Sequence, residues 1–148
     1  MLFTEKAHFV AAEELRKVHL LVGLVATVSA AASVASIVAS GPKVISGVLA
    51  LVAAIASATM TFVKPDEKAS QHLSAAKALG VTRVKARHCR DIDLHMEQPE
   101  DVPEWRRMLT EISKAKGSAD DAAPSISERR FQKARKKIQA GDFIHDSA

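Results

Sequence analysis

The chain has 148 residues, of which 26% are charged and only 4% aromatic, with one cysteine and a formal net charge of +4. The single Cys89 excludes an intrachain disulfide framework and fits a reducing compartment. About 40 of the 148 residues lie in two uncharged apolar runs, which leaves a polar remainder too small and too divided for a conventional enzyme domain.

From Thr4 to Lys17 the pattern predicts an amphipathic helix, with Phe9, Ala12, Leu15 and His19 near one face and Thr4 as its cap. It leads straight into the first apolar run. That run, Leu20 to Ser40, and the second, Val44 to Val63, are separated only by Gly41, Pro42 and Lys43. A helix of about 20 residues rises roughly 30 Å, the thickness of a bilayer's hydrocarbon core. Each run holds nine residues from the Leu, Ile, Val and Phe set, an insertion gain of roughly 3 to 5 kcal/mol before polar costs. A soluble helix normally keeps a polar outer face, and these runs have no charge to supply one. The expected fold is an all-α membrane protein, a two-helix transmembrane hairpin flanked by cytoplasmic N-terminal and C-terminal helices.

The turn predicts Gly41 in an unusual backbone conformation and Pro42 at the start of the second helix. Both termini then lie on one side. The turn carries one base, Lys43, whereas Lys64, Lys68, Lys77, Arg83 and Lys85 follow the second run and Arg16 and Lys17 precede the first. Such asymmetry predicts cytoplasmic termini.

Beyond Pro65 a helix is expected from about Asp66 to about Arg90. Ala69, Leu73, Ala76 and Val84 recur along it, and Gly80 weakens it in its middle. Glu97 to Glu104, with Pro99 and Pro103, reads as a break before a short helix that places Val102, Trp105, Leu109 and Ile112 on one face. Residues 117–127 have the composition of a flexible connector. Ser125 and Glu128 then suggest a capping box, and Gly141 a stop, for a last helix with Phe131, Ala134 and Ile138 along one side. The organisation is therefore 1–19, a lead-in helix; 20–63, the hairpin; and 64–148, a helical region with the connector inside it.

Three groups of residues stand out. Ser29, Ser33, Ser36 and Ser40 fall within an arc of about 60° at 100° per residue. Ser46, Ser57 and Thr61, with Ala50 and Ala53, form a comparable line on the second run. Small hydroxyl residues serve close helix packing or the lining of a pore. Neither run has an ionisable group, which disfavours proton relays, pumps and voltage sensors. Two helices cannot enclose a conduit, so a pore requires several copies. The second group, Arg83, Lys85, Arg87 and Arg90, is a cytoplasmic basic patch facing anionic lipid, a nucleotide or water. The third, Arg129, Arg130, Lys133, Arg135, Lys136 and Lys137, surrounds an apolar face, the pattern of a helix docking on lipid headgroups, an acidic partner or nucleic acid. His88, Cys89, Asp91, Asp93 and His95 have metal-binding donors but no recognised ligand spacing. No motif of enzyme chemistry and no cofactor site is found.

The lead-in EKAHFVAAEELRKVHLLVGL, the two small-residue-rich runs, the segment KASQHLSAAKALG and the closing APSISERRFQKARKKIQAGDF together resemble the SLATT family of two-span bacterial effectors. The resemblance implies an effector of antiviral defence that oligomerises into a pore through the bacterial inner membrane; with two helices from each copy, such a pore takes at least four copies. It also implies a separate trigger: a sensor such as a nucleotide cyclase, a nucleotide-binding protein or a reverse transcriptase, or its nucleotide or nucleic-acid product. Two other readings stay open, a membrane-anchored adaptor that recruits a cytoplasmic partner and a soluble helical interaction protein.

Overall fold

The computed structural model describes residues 1–91 and 102–141. Among these residues five helices follow in order, α1 (Leu2–Val38), α2 (Lys43–Val63), α3 (Pro65–Asp91), α4 (Val102–Asp121) and α5 (Glu128–Gln139). Among the described residues there is no strand. The chain divides into two compact units, one formed by Glu13–Ala69 and the other by Met1–Ala12 with Ser70–Ala148.

The Glu13–Ala69 unit is an antiparallel hairpin of α1 and α2. Its seam runs along Val22, Ala26, Ser29, Ser33 and Ser36 on α1 and Ser46, Leu49, Ala53, Ala56 and Met60 on α2, all buried or half-buried. Those positions alternate by four and three, the 3.5-residue period that keeps two helices facing each other over several turns. Gly23 sits opposite the Met60 methyl, 4.0 Å from where a Cβ would stand. Small residues on both sides let the backbones approach.

The turn departs from the expected glycine conformation. Ser40, not Gly41, takes the left-handed backbone, with φ 54°. The Ser40 amide donates to the Ile37 carbonyl and the Gly41 amide to the Ser36 carbonyl, the paired bonds of a Schellman stop. Gly41 is needed for space instead, because a Cβ there would stand 2.9 Å from the Ser36 carbonyl oxygen. At the far end of α2, Lys64 is left-handed at φ 46° and Pro65 opens α3 at once, where its missing N–H leaves no bond unmade.

The second unit packs the first turns of α1 with α3, α4 and α5. Its core is built from small side chains, with Ala7, Val10 and Ala11 from α1, Ala75, Ala76 and Leu79 from α3, Ala119 from α4 and Ala134 from α5. Ile126 and Phe131 close over Ala7, Val10 and Ala134.

Several local expectations change. Helix α1 begins at Leu2, so Thr4 lies inside the helix instead of capping it. Helix α3, by contrast, keeps the expected extent and runs unbroken through Gly80. Residues 117–121 continue α4 instead of forming connector, so the link to α5 is only 122–127. Ser127, not Ser125, is the N-cap of α5, and Glu128 accepts a 2.6 Å bond from Gln132 instead of completing a box. Gly141, φ 104°, follows the end of α5. The expected break falls mostly outside the described residues, and its end, Val102 to Glu104, is the first turn of α4.

Candidate functional site

Within the hairpin, the predicted serine stripe lies on the seam. Ser29 and Ser33 are 9% and 6% exposed and Ser46 is 6% exposed. The Ser33 hydroxyl donates to the Ser46 carbonyl at 2.9 Å, and the Ser46 hydroxyl donates to Ser36 Oγ at 3.0 Å. A hydroxyl in an apolar surrounding must find an acceptor, and here the partner helix supplies it. Ser40 is exposed at the turn, and Ser57 and Thr61 are exposed on α2, where Thr61 donates to the Ser57 carbonyl at 3.1 Å. Thus Ser33, Ser36 and Ser46 come together and Ser29 is buried along the same seam, whereas Ser40, Ser57 and Thr61 do not join them.

The outward faces of the hairpin are apolar. Leu20, Leu24, Val28, Val34 and Ile37 on α1, and Val44, Leu51, Ile55 and Phe62 on α2, are all more than half exposed. Only 11% and 6% of the most apolar 18-residue stretches are buried within the chain, so neither helix is a core helix. Both are long and apolar enough to cross a membrane.

In the other unit, α1 and α3 meet through two polar pairs, one part-buried and one buried. Arg83 Nε donates to Glu5 Oε2 at 2.7 Å, with a weaker contact of Nη2 to Oε1 at 3.5 Å. Glu5 is 4% exposed, and Gly80 leaves the space its carboxylate fills, since a Cβ there would stand 3.1 Å from Oε1. Closer to the start of α3, His72 Nδ1 lies 2.9 Å from His8 Nδ1, the rings tilted with centroids 5.2 Å apart. Two neutral imidazoles share that proton as one donor and one acceptor; two charged rings have no acceptor. Burial, then the His8 ring and then Arg130, push His72 down to about 4. Burial also lowers His8, against the pull of Asp120. Asp120 of α4 and Arg130 of α5 thus act electrostatically on the histidine pair between α1 and α3.

The predicted basic patch on α3 is split by this arrangement. Arg83 turns inward to Glu5, while Lys85, Arg87 and Arg90 stay outside, Arg90 beside Asp91 at 2.6 Å. On α5, Phe131 and Ala134 face the α1 core, and Ala134 is fully buried, so the face expected to meet lipid or a partner is filled by the chain itself. Arg129, Lys133, Arg135 and Lys136 are exposed, and Arg130 and Lys137 are half-buried. Of the residues with metal-binding donors but no ligand spacing, Cys89 is buried, His88 and Asp91 are exposed, and Asp93 and His95 lie outside the described residues. Among the described residues no three such side chains converge on a metal geometry. Cys89 and His88 instead border a cleft of about 330 Å³ between α3 and α4, with Val84, Met108 and Ile112.

The pairs Glu5–Arg83 and His8–His72 were missed by sequence reasoning. Their partners are 78 and 64 residues apart, beyond any helical spacing rule. The available signal was a Glu and a His three positions apart on the same face as Ala12 and Leu15. Comparison with family models, with curated proteins and with solved structures finds no match for this chain.

Proposed function

We propose that the chain is a two-span membrane protein whose copies assemble into a pore-forming effector opened by a separate signal, with both termini cytoplasmic. The observation that carries the membrane part is the outward apolar surface of α1 and α2, which water disfavours and lipid or further copies would cover. The resemblance to SLATT effectors supports the pore and the external trigger. A conduit made by several hairpins would draw its lining from outward positions such as Ser57 and Thr61, since Ser33 and Ser46 are bonded across the seam.

A second reading, a membrane-anchored adaptor, is favoured by that same seam. With its best hydroxyls satisfied internally, the hairpin offers little polar surface for ions.

Induced expression with a membrane-potential dye separates the two. The effector collapses the potential once its trigger is present, and the adaptor fractionates with membranes without leakage. Mass measurement in detergent gives at least four copies for the effector. Only monomers and dimers, with and without activation, would remove the pore. For orientation, in a Cys89→Ser background a cysteine at Lys43 reacts with an impermeant reagent in intact cells and one at Ser118 does not; the reverse would overturn the topology.

A further inference from the structure

Helix α5 holds six Lys and Arg against one Glu, a surplus of five in twelve residues. The whole chain carries +4, so the other 136 residues together are net −1. All of the protein's net positive charge is gathered on one helix.

The buried side of that helix is fixed by Phe131, Ala134 and the half-buried Ile138. Opposite it, at 100° per residue, Arg129, Lys133 and Lys136 project within an arc of about 60°. All three are exposed, and their spacing of four and three places a cation at each turn, about 5 Å apart along the axis. The outward face has no aromatic residue, because Phe131 points into the core. Stacking on bases, the usual second component of single-strand recognition, is therefore missing. With Ala134 fully buried, insertion as an amphipathic interfacial helix is also closed. What remains is a row of cations suited to a surface of closely spaced phosphates.

We propose that the Arg129, Lys133 and Lys136 face docks on anionic lipid headgroups by electrostatic attraction alone. The choice of lipid over other polyanions rests on the membrane reading above: a chain anchored in a bilayer meets headgroups at high effective concentration. Such contact weakens with salt, as an inserted helix does not.

The test uses the full chain carrying Cys89→Ala and Gln132→Cys, labelled at position 132 with an environment-sensitive dye and reconstituted into nanodiscs. One set contains phosphatidylcholine alone, the other phosphatidylcholine with phosphatidylglycerol. Quenching by acrylamide, which is neutral, reports cover over the α5 face. Lower quenching is expected in the anionic discs only, abolished by high salt and by R129Q/K133Q/K136Q. Three bases near an anionic surface predict about a 100-fold loss of docking equilibrium in that variant. Equal quenching in both lipids, with the protein still eluting with the discs, overturns the docking but not the membrane reading. Failure to elute with either disc removes both. Salt-sensitive binding of a labelled RNA to the detergent-solubilised chain, lost in the same variant and without any lipid effect, assigns the face to nucleic acid and also overturns the proposal.

Discussion

The hairpin and the helical unit beside it in sequence solve the same packing problem with opposite distributions of polarity. In the hairpin, the Ser33 hydroxyl meets the Ser46 carbonyl and the Ser46 hydroxyl meets Ser36 at the seam, while Leu, Ile, Val and Phe side chains point outward. In the other unit alanines and Leu79 fill the inside and Lys and Arg crowd the outside, yet a Glu–Arg pair and a His–His pair are also enclosed. Small residues allow close helices in both. The difference lies in what the outer faces are suited to meet: lipid gives no reward for hiding leucine, whereas water does.

The sharpest way to break the comparison is to leave a charge stranded in the polar unit. Arg83→Ala, which removes the partner of Glu5, is expected to cost about 3 kcal/mol. Replacing both, with Glu5→Gln and Arg83→Met, should cost clearly less. Thermal melting of the full chain in detergent measures both, and an equal loss would show that the stranded Glu5 charge is not what destabilises Arg83→Ala.

The histidine pair gives the next effect, and its sign is definite. Because His72 is held at about 4 in the folded chain against 6.5 ordinarily, the unfolded state binds more protons between those values. Stability is complete above about pH 6.5 and falls as the pH drops towards 4, by about 2–3 kcal/mol for this one residue. His8→Phe with His72→Leu should flatten the melting temperature across that window. A slope unchanged by the pair would place the acid sensitivity elsewhere.

In the hairpin, Ser33→Leu overfills the contact with Ser46 and is expected to cost about 1–3 kcal/mol, while Ser33→Ala, losing one bond, costs roughly 0.6 kcal/mol. Resistance of the detergent-solubilised full chain to thermal unfolding reads both. The smallest effect belongs to Ser57→Leu on the outward face, within about 0.5 kcal/mol on stability. If outward hydroxyls line an assembled conduit, the same change lowers conductance without lowering oligomer yield.

Composition and periodicity alone settled that the chain is helical and that two of its helices are long and apolar enough to span a membrane. Those properties are written locally, in about 20 consecutive residues without a charge. The sequence also put Ser29, Ser33 and Ser36 on one face, because helical spacing is local. What that face meets is decided by the partner helix. On α2 the seam follows Ser46, Leu49, Ala53, Ala56 and Met60 instead of the line through Ser57 and Thr61, since two close helices keep a 3.5-residue period where an isolated helix has 3.6. Likewise the basic row of α5 was plain in the sequence, but the occupation of its apolar side by Ala7 and Val10 was not. Arg83 looked like one more surface cation until folding set it against Glu5, 78 residues away. Pairings across such distances depend on which helices lie side by side, and only the tertiary structure decides that.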